Sequence, residues 1–348
     1  MKRFISCTVL VLSVFFWLRQ SSVITQAEEA LTPRVVVAKS LPLLQTLGMK
    51  FIEQSGCVSC HNNALPAMAV AVARERGFKI DEQAVQQENA KIEELWGAKR
   101  EQILQGSSAQ GGGIDAVSYI LIGLAANRQT ANPTTDAIVH YLAGQQTKAG
   151  NWEIQIRSRP PLEASHFNAT ALSLRALQLY APKGRSEAVK EKIAEARQWL
   201  TTSAPQTNED RAFQLFGLHW SGAGKVTKQK AVAQLLTLQR SDGGWAQLPT
   251  MTSDAFATGQ VLVALHRAGG LPTSDPAYQR GVQYLLKTWK PDGTWYVQSR
   301  SFPFQKQFES GFPYGKDQWI SAAATSWAVM ALALTIDLPA NAGTTINW

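Results

Sequence analysis

Apolar and polar positions recur along the chain in blocks of about fifty residues, and each block holds two helical patterns. In the clearest block, residues 231–270, apolar residues first recur every three to four positions, and a Gly-rich turn follows. A second helix, almost wholly apolar, then begins near Ser253. A helix that is apolar all round is buried on most sides. The pattern therefore predicts a charged outer helix followed by a buried inner helix.

Six such pairs are predicted, and they make residues 40–338 one all-α domain. The inner helices are expected to begin near Leu65, Asp115, Ser165, Asn208, Ser253 and Gln318. The outer helices that precede them are expected at residues 40–54, 82–105, 134–146, 186–202, 227–239 and 276–289. No unit of a helical repeat buries its apolar face alone, so the units must stack or close on one another. Strand-like alternation is scarce, with residues 295–300 as the short candidate.

The turns inside the pairs carry a second regularity, Gln-x3-Gly-x-Trp. It occurs as Gln146, Gly150 and Trp152, as Gln239, Gly243 and Trp245, and with Trp for Gln as Trp289, Gly293 and Trp295. The pattern resembles the QW motif of the terpenoid cyclase and protein prenyltransferase superfamily, over most of the chain from about residue 40. This resemblance implies an α/α toroid of about six helix pairs, with inner helices around a central cavity. It also implies that the Gln and Trp side chains pack and hydrogen-bond between neighbouring outer helices.

The resemblance does not extend to the chemistry of that superfamily. The Asp-x-Asp-Asp motif with which squalene–hopene-type cyclases protonate their substrate does not occur in the sequence. No cysteine is left for the zinc site of the prenyltransferases, and no Asp-rich run suits a magnesium–diphosphate site. A shared fold does not specify function, so terpene cyclisation is not expected.

Residues 1–27 have the order of a secretory signal peptide. Lys2 and Arg3 precede an apolar run at residues 4–18, and Ala27 stands at a plausible cleavage point. The run is short for a membrane span, although an uncleaved anchor is the alternative. We therefore expect an exported, periplasmic protein with no stable membrane span after cleavage.

Cleavage would leave two cysteines, Cys57 and Cys60, because Cys7 lies in the signal segment. A secreted protein that relied on disulfides would usually have more, so this pair is expected to have a local role. Loss of the three basic residues before Glu28 would also lower the formal charge from +8 to +5. That mild excess, without a basic tract, does not indicate a nucleic-acid partner.

The two cysteines belong to the sequence GCVSCH in the turn of the first helix pair. Gln54 precedes Cys60 by six residues, the Gln-to-Trp spacing of the other turns, so Cys60 stands at the Trp position. CxxCH is the attachment motif of c-type haem, in which two thiols bond the haem vinyl groups and the His is the proximal iron ligand. This resemblance to c-type cytochromes, confined to the motif, implies one covalent haem c held by Cys57, Cys60 and His61 and attached outside the cytoplasm.

The expected function is that of an exported monohaem cytochrome, with electron transfer to a partner protein or haem-dependent redox chemistry. Two other uses of the cysteines stay open: a CxxC disulfide, which needs no His, and a zinc site, which would need a fourth ligand. With a disulfide the protein would be a non-redox hydrolase or lyase. A cavity that binds an apolar, isoprenoid-like ligand is the third alternative.

Several other residues are candidates for contacts with the haem. Candidates for the sixth iron ligand are His166 and Met251, at the starts of other inner helices, and Met68 and Met49, near the motif in sequence. Candidates for contacts with the propionates or an acidic ligand are Arg157, Arg159 and Arg300, in long turns. The alternative for each is an ordinary capping, packing or solvated role.

Overall fold

A computed structural model describes residues 31–108, 113–155, 158–303 and 306–339, and these residues are almost entirely helices and turns. The predicted signal peptide, residues 1–27, lies outside them. The helices are α1 (Pro33–Ser55), α2 (Leu65–Glu75), α3 (Glu82–Gly97), α4 (Arg100–Leu104), α5 (Ile114–Ala126), α6 (Pro133–Gly144), α7 (His166–Tyr180), α8 (Ser186–Thr202), α9 (Asn208–Trp220), α10 (Lys225–Leu236), α11 (Ala255–Arg267), α12 (Pro276–Thr288) and α13 (Gln318–Ala333). Residues 295–300 form a loop rather than a strand.

The helices form the six predicted pairs, and the inner members close into a ring. The inner helices are α2, α5, α7, α9, α11 and α13; each contacts the next, and α13 contacts α2. The outer helices are α1, α3 with the short α4, α6, α8, α10 and α12. Ring closure buries the apolar faces that no pair buries alone. The all-α toroid predicted from the repeat is therefore confirmed.

The first outer helix is longer than predicted, because it begins at Pro33 instead of residue 40. The Thr32 side chain caps it by accepting a hydrogen bond from the Val35 N–H, and a proline suits the first turn. Within the described residues α1 is the one helix with the length and hydropathy of a membrane span. Half of that stretch is buried inside the fold, where α1 packs on α2 and α13.

Gln and Gly of the repeated turns join neighbouring outer helices. Gln239 Nε2 donates to the Gly243 carbonyl of its own turn, at 2.9 Å, and to the Ala277 carbonyl of α12, at 2.7 Å. Gly243 has a φ of +87°, and a Cβ there would lie 2.5 Å from the Arg280 carbonyl of α12. Gln146 makes the equivalent pair of bonds to its own turn and to α8. The predicted bridging role of Gln is confirmed.

The Trp of the turn binds within its own pair, which differs from the predicted bridge between outer helices. Trp245 Nε1 donates to the Leu235 carbonyl of α10 at 2.8 Å, and its backbone N–H donates to Thr258 Oγ1 of α11 at 2.9 Å. Trp152 and Trp295 repeat both bonds with their own outer and inner helices. Each fully buried indole therefore ties the outer helix, the turn and the inner helix together.

Gln239→Ala should lower the free energy of unfolding by about 1–3 kcal/mol, because two carbonyls lose their donor in a partly buried turn. Urea denaturation followed by circular dichroism measures the change. Gln234→Ala, at an exposed position of α10 just before this turn, is the matched control and should leave stability within about 0.5 kcal/mol of the starting protein. Equal loss in the two variants would contradict a specific role for the turn.

Aromatic side chains fill part of the interior of the ring. Phe213 and Phe216 of α9 each lie 6.4 Å, between ring centroids, from Trp327 of α13. In the ring, α11 lies between α9 and α13. The side chains of α9 and α13 therefore meet in the interior of the ring. We call Phe213, Phe216 and Trp327 the aromatic cluster. The toroid resemblance implied a central cavity, whereas the aromatic cluster packs this region with side chains that are at most 1% exposed.

Candidate functional site

A cavity of about 750 Å³ lies at the end of the ring where the inner helices begin. We call this end the motif rim; it is defined by Leu65, Ile114, His166, Asn208, Ala255 and Gln318. The walls of the cavity include Cys57, Cys60 and His61 and the starts of α5 and α13. Two loops add Ser158, Arg159, Glu163, Ser299, Ser301, Phe302 and Pro303. The volume is in the range of small-molecule and cofactor sites. The whole cysteine–histidine motif thus faces one cavity.

The turn that carries the motif is held by bonds to its own residues and to α3. Gly56, with a φ of +68°, ends α1, and Ser59 Oγ caps the following π-helical turn (Cys60–Ala64) by accepting the Asn62 N–H at 3.1 Å. Asn63 Oδ1 accepts the Ser59 N–H at 2.9 Å, and its Nδ2 donates to Glu88 Oε1 at 2.8 Å. The position of the motif therefore depends on a buried carboxyl of a different helix pair.

The two cysteines are separate thiols in the structure. Cys57 Sγ donates to Ser55 Oγ at 3.3 Å, while Cys60 Sγ lies 3.4 Å from His61 Nδ1. Burial raises the pKa of the Cys60 thiol, which is therefore neutral. In the part of the chain that the structure describes, no group of three or more His, Cys, Asp or Glu side chains could hold a metal ion, so the zinc alternative gains no ligand set.

The His61 imidazole packs between two aromatic rings at the cavity wall. Its centroid lies 5.8 Å from Phe51 of α1 and 5.8 Å from Trp319 of α13, with both pairs edge to face. His61 is 5% exposed. Burial lowers the pKa of His61, and the nearby Arg159 guanidinium lowers it further. The ring is therefore neutral, the form in which imidazole binds metals.

A second part of the cavity wall is polar and comes from other helix pairs. We call Trp96, Asp115, Tyr141, Arg159 and Glu163 the polar wall; all five line the cavity. Arg159 Nη1 and Glu163 Oε1 form an ion pair at 2.9 Å that is largely buried. Burial raises the pKa of Asp115 to about 7, and the Glu163 carboxylate adds to this rise. The wall therefore combines a cation, an anion and an acid that is largely protonated at mildly acidic pH.

Two buried polar side chains beside the motif have unused hydrogen-bonding atoms. Trp96, which is 1% exposed, has no acceptor for its indole N–H among the described residues. Asn62, which directly follows His61, has no partner for either amide atom within those residues. Buried polar groups are normally paired, so these two side chains are exceptions among the described residues.

The predicted accessory residues lie in different places. Arg159 lines the cavity, whereas Arg300 donates to Gln247 Oε1 at 2.8 Å, and Arg157 lies outside the described residues. None of the four candidate sixth ligands lines the cavity. Met68 is buried in the core, and His166 Nδ1 accepts the Ile154 N–H. Met49 and Met251 are half-buried in other places. Sequence position near the motif, or at the same rim, did not bring them to its cavity.

A polar cluster inside the ring was not predicted from the sequence. Asn168 Nδ2 donates to Glu209 Oε1 at 2.6 Å and also contacts Tyr119 Oη at 3.1 Å, and Gln260 Nε2 donates to Glu209 Oε2 at 2.8 Å. Burial raises the pKa of Glu209 to about 7, while the two amide donors oppose the rise. The four side chains come from α5, α7, α9 and α11. The one sequence signal was a carboxylate in the first turn of a predicted inner helix.

The fold is similar to that of solved toroid proteins. The type II terpene cyclase MstE from Scytonema matches with a TM-score of 0.57 and 15% identity, over 86% of this chain and 97% of that one. A possible member of the GH105 family from Klebsiella pneumoniae matches with a TM-score of 0.53 and 12% identity, over 94% of this chain and 99% of that one. At such identities the likeness shows the fold alone, an α/α toroid of the terpene cyclase type.

Sequence comparison gives a shorter match. A drimenyl diphosphate synthase from Streptantibioticus cattleyicolor is 38% identical over 73 residues, which are 21% of this chain and 13% of the synthase. The chain thus matches a small part of the length of that relative. No family model matches the chain.

Proposed function

We propose that the protein is an exported monohaem c-type cytochrome, built on a terpene-cyclase-like toroid and holding its haem in the cavity at the motif rim. The observation that carries the proposal is that Cys57, Cys60 and His61 all line this one cavity of about 750 Å³. Cys57 and Cys60 would bond the haem covalently, and His61 would be the proximal iron ligand. When bound, haem supplies one-electron chemistry.

The residues around the motif fit this group. The two thiols are not bonded to each other, so both are available for thioether bonds. The His61 ring is neutral, and Phe51 and Trp319 set its orientation from two sides. Arg159 lies at the same cavity, and its guanidinium, paired with Glu163, would contact a propionate as a second partner. The chain therefore supplies covalent anchors, an oriented ligand and a charge partner at one place.

The same residues would tune the haem and exclude water from it. Phe51, Phe308 and Trp319 form an apolar part of the cavity wall around His61. A low-polarity surrounding disfavours the more highly charged oxidised iron and raises the reduction potential. Electron transfer with a partner protein, or redox chemistry on a small molecule, would follow from a haem anchored at the motif rim.

A terpenoid-related role is the second candidate, favoured by the 73-residue similarity to the drimenyl diphosphate synthase. In that role an apolar, isoprenoid-like molecule would need a chamber, and the aromatic cluster occupies part of the ring interior. The rim cavity would then be its place, without a haem. Haem content separates this candidate, and a hydrolase or lyase of the toroid type, from the cytochrome.

The test is a pyridine haemochrome spectrum of the full chain exported from a host with haem c maturation. We expect a c-type spectrum with one haem per chain, and its complete loss in Cys57→Ala/Cys60→Ala. Val58→Ala, which changes a residue between the thiols and keeps both, is the matched control and should retain the haem. A folded but haem-free protein under these conditions would overturn the proposal.

A further inference from the structure

The carboxyl of Glu88 lies between α1 and the turn that carries the motif, although Glu88 belongs to α3, in the second helix pair. Its Oε1 atom accepts a hydrogen bond from Asn63 Nδ2 at 2.8 Å. On the α1 side, a Cβ added at Gly48 would overlap the carboxyl, so the carboxyl packs directly on the α1 backbone. Glu88 is 8% exposed. The first and second helix pairs therefore meet at this buried carboxyl.

A carboxyl at this place is a costly choice for the fold. Burial raises the pKa of Glu88 to about 7, because removal from water disfavours the charged form. An apolar side chain of similar volume would fill the same space without that cost. What the carboxyl adds is a directed acceptor for the Asn63 amide, and it accepts this bond in either protonation state. Its contribution is therefore the placement of Asn63.

Asn63 links the position of Glu88 to the motif. Its Oδ1 accepts the N–H of Ser59, the residue before Cys60, at 2.9 Å. Asn63 also lies two residues after His61 in the π-helical turn Cys60–Ala64. Side chains two positions apart in a helical turn project on nearly opposite sides. The bond from Asn63 to α3 on one side therefore sets how the turn presents His61 to the cavity on the other.

We propose that Glu88 is a positioning residue for haem attachment: through its bond to Asn63 it fixes the rotation of the π-helical turn and keeps Cys60 and His61 at the cavity wall. The inference rests on the proposed function, because it assigns a further residue to the attachment of that haem. Gly48 belongs to the same arrangement, since a side chain there would displace the carboxyl from Asn63. Short π-helical turns are rare and occur frequently at functional sites.

The first measurement is the rate at which N-ethylmaleimide alkylates Cys60 in the reduced, haem-free full chain, read by mass spectrometry at fixed pH. Cys60 is 4% exposed, so its reaction requires local opening of the turn. Glu88→Ala should speed the alkylation about tenfold, because Asn63 Nδ2 loses its acceptor and the turn opens more often. Glu88→Gln keeps a carbonyl acceptor and should preserve the slow rate. Gly48→Ala should speed the reaction too, although alanine favours the helix.

Glu93→Ala is the matched control on the same helix. Glu93 Oε2 accepts a bond from Asn132 Nδ2 at 2.8 Å, next to the start of α6, so this variant removes the same kind of bond away from the motif. The alkylation rate of Cys60 should not change. The second measurement is the haem content per chain after export from a host with haem c maturation. It should fall several-fold in Glu88→Ala and stay at the starting level in Glu88→Gln and Glu93→Ala.

An unchanged Cys60 rate in folded Glu88→Ala would overturn the proposal, and so would equal acceleration in Glu93→Ala, which would indicate general loosening. Fast alkylation in Glu88→Gln would show that the hydrogen bond does not position the turn. Full haem content in Glu88→Ala would overturn the role in attachment. If Glu88→Ala does not fold, Gly48→Ala decides in its place by the same two measurements. A starting protein without haem would overturn the proposed function, whereas the alkylation rates need no haem and decide the positioning of the turn separately.

Discussion

Trp327→Ala is expected to lower the free energy of unfolding by about 3–5 kcal/mol. The indole is fully buried in α13, and it contacts Phe213 and Phe216 across the interior of the ring. Its removal loses apolar burial and leaves a void between helices that cannot all move inward, because the ring is closed. Urea denaturation at fixed pH measures the loss.

A matched control for this prediction is Trp199→Ala on the outer helix α8. Trp199 is half-buried, and its ring centroid lies 4.7 Å from that of Phe167 in a tilted pair. Because it is less buried than Trp327, its loss should cost less. The void in Trp327→Ala should also bind a small apolar molecule such as benzene, which would restore part of the stability. If Trp327→Ala were as stable as the starting protein, the interior would not be packed as described. That result would favour the central cavity that the cyclase resemblance implies.

Stability is expected to fall as the pH rises from about 5 to about 8, and Glu209 should cause a large share of the fall. Burial raises the pKa of this carboxyl from 4.5 to about 7, so between these values the folded state binds a proton that the unfolded state has released. The free energy of unfolding therefore decreases with pH in this window. At 1.36 kcal/mol for each pKa unit, the contribution of this one group is about 3 kcal/mol.

Glu209→Gln should flatten this dependence. The glutamine is uncharged at every pH and keeps the shape that Asn168 and Gln260 contact. Urea denaturation at pH 5 and at pH 8 gives the difference for each protein. Glu187→Gln, on the exposed surface of α8, is the control and should keep the slope of the starting protein. An identical slope in Glu209→Gln would show that the buried carboxyl is not protonated in the folded protein. Asp115 and Glu88, each with a pKa raised to about 7, should maintain a residual slope in Glu209→Gln.

Helix positions and the contacts of the repeated turns could be predicted from short stretches of sequence. Helix positions followed from the recurrence of apolar residues, because an α-helix presents the same face every three to four residues whatever surrounds it. The bond from Gln239 to the next outer helix was also predictable, since a repeated motif reports a contact that every repeat makes with its neighbour. The start of α1 at Pro33 was missed, because it depends on a cap at Thr32 and not on periodicity.

The sequence by itself determined the six helix pairs, the turns that join them and the place of Cys57, Cys60 and His61 in the first turn. The tertiary structure alone decided which side chains share the cavity with His61: Phe51, Trp96, Asp115 and Trp319 come from four different helices. It also decided that the interior holds the aromatic cluster and the buried Glu209. The physical reason is that a helical pattern is a short-range property of the chain, whereas these neighbours meet only when the ring closes and brings helices from distant parts of the sequence together.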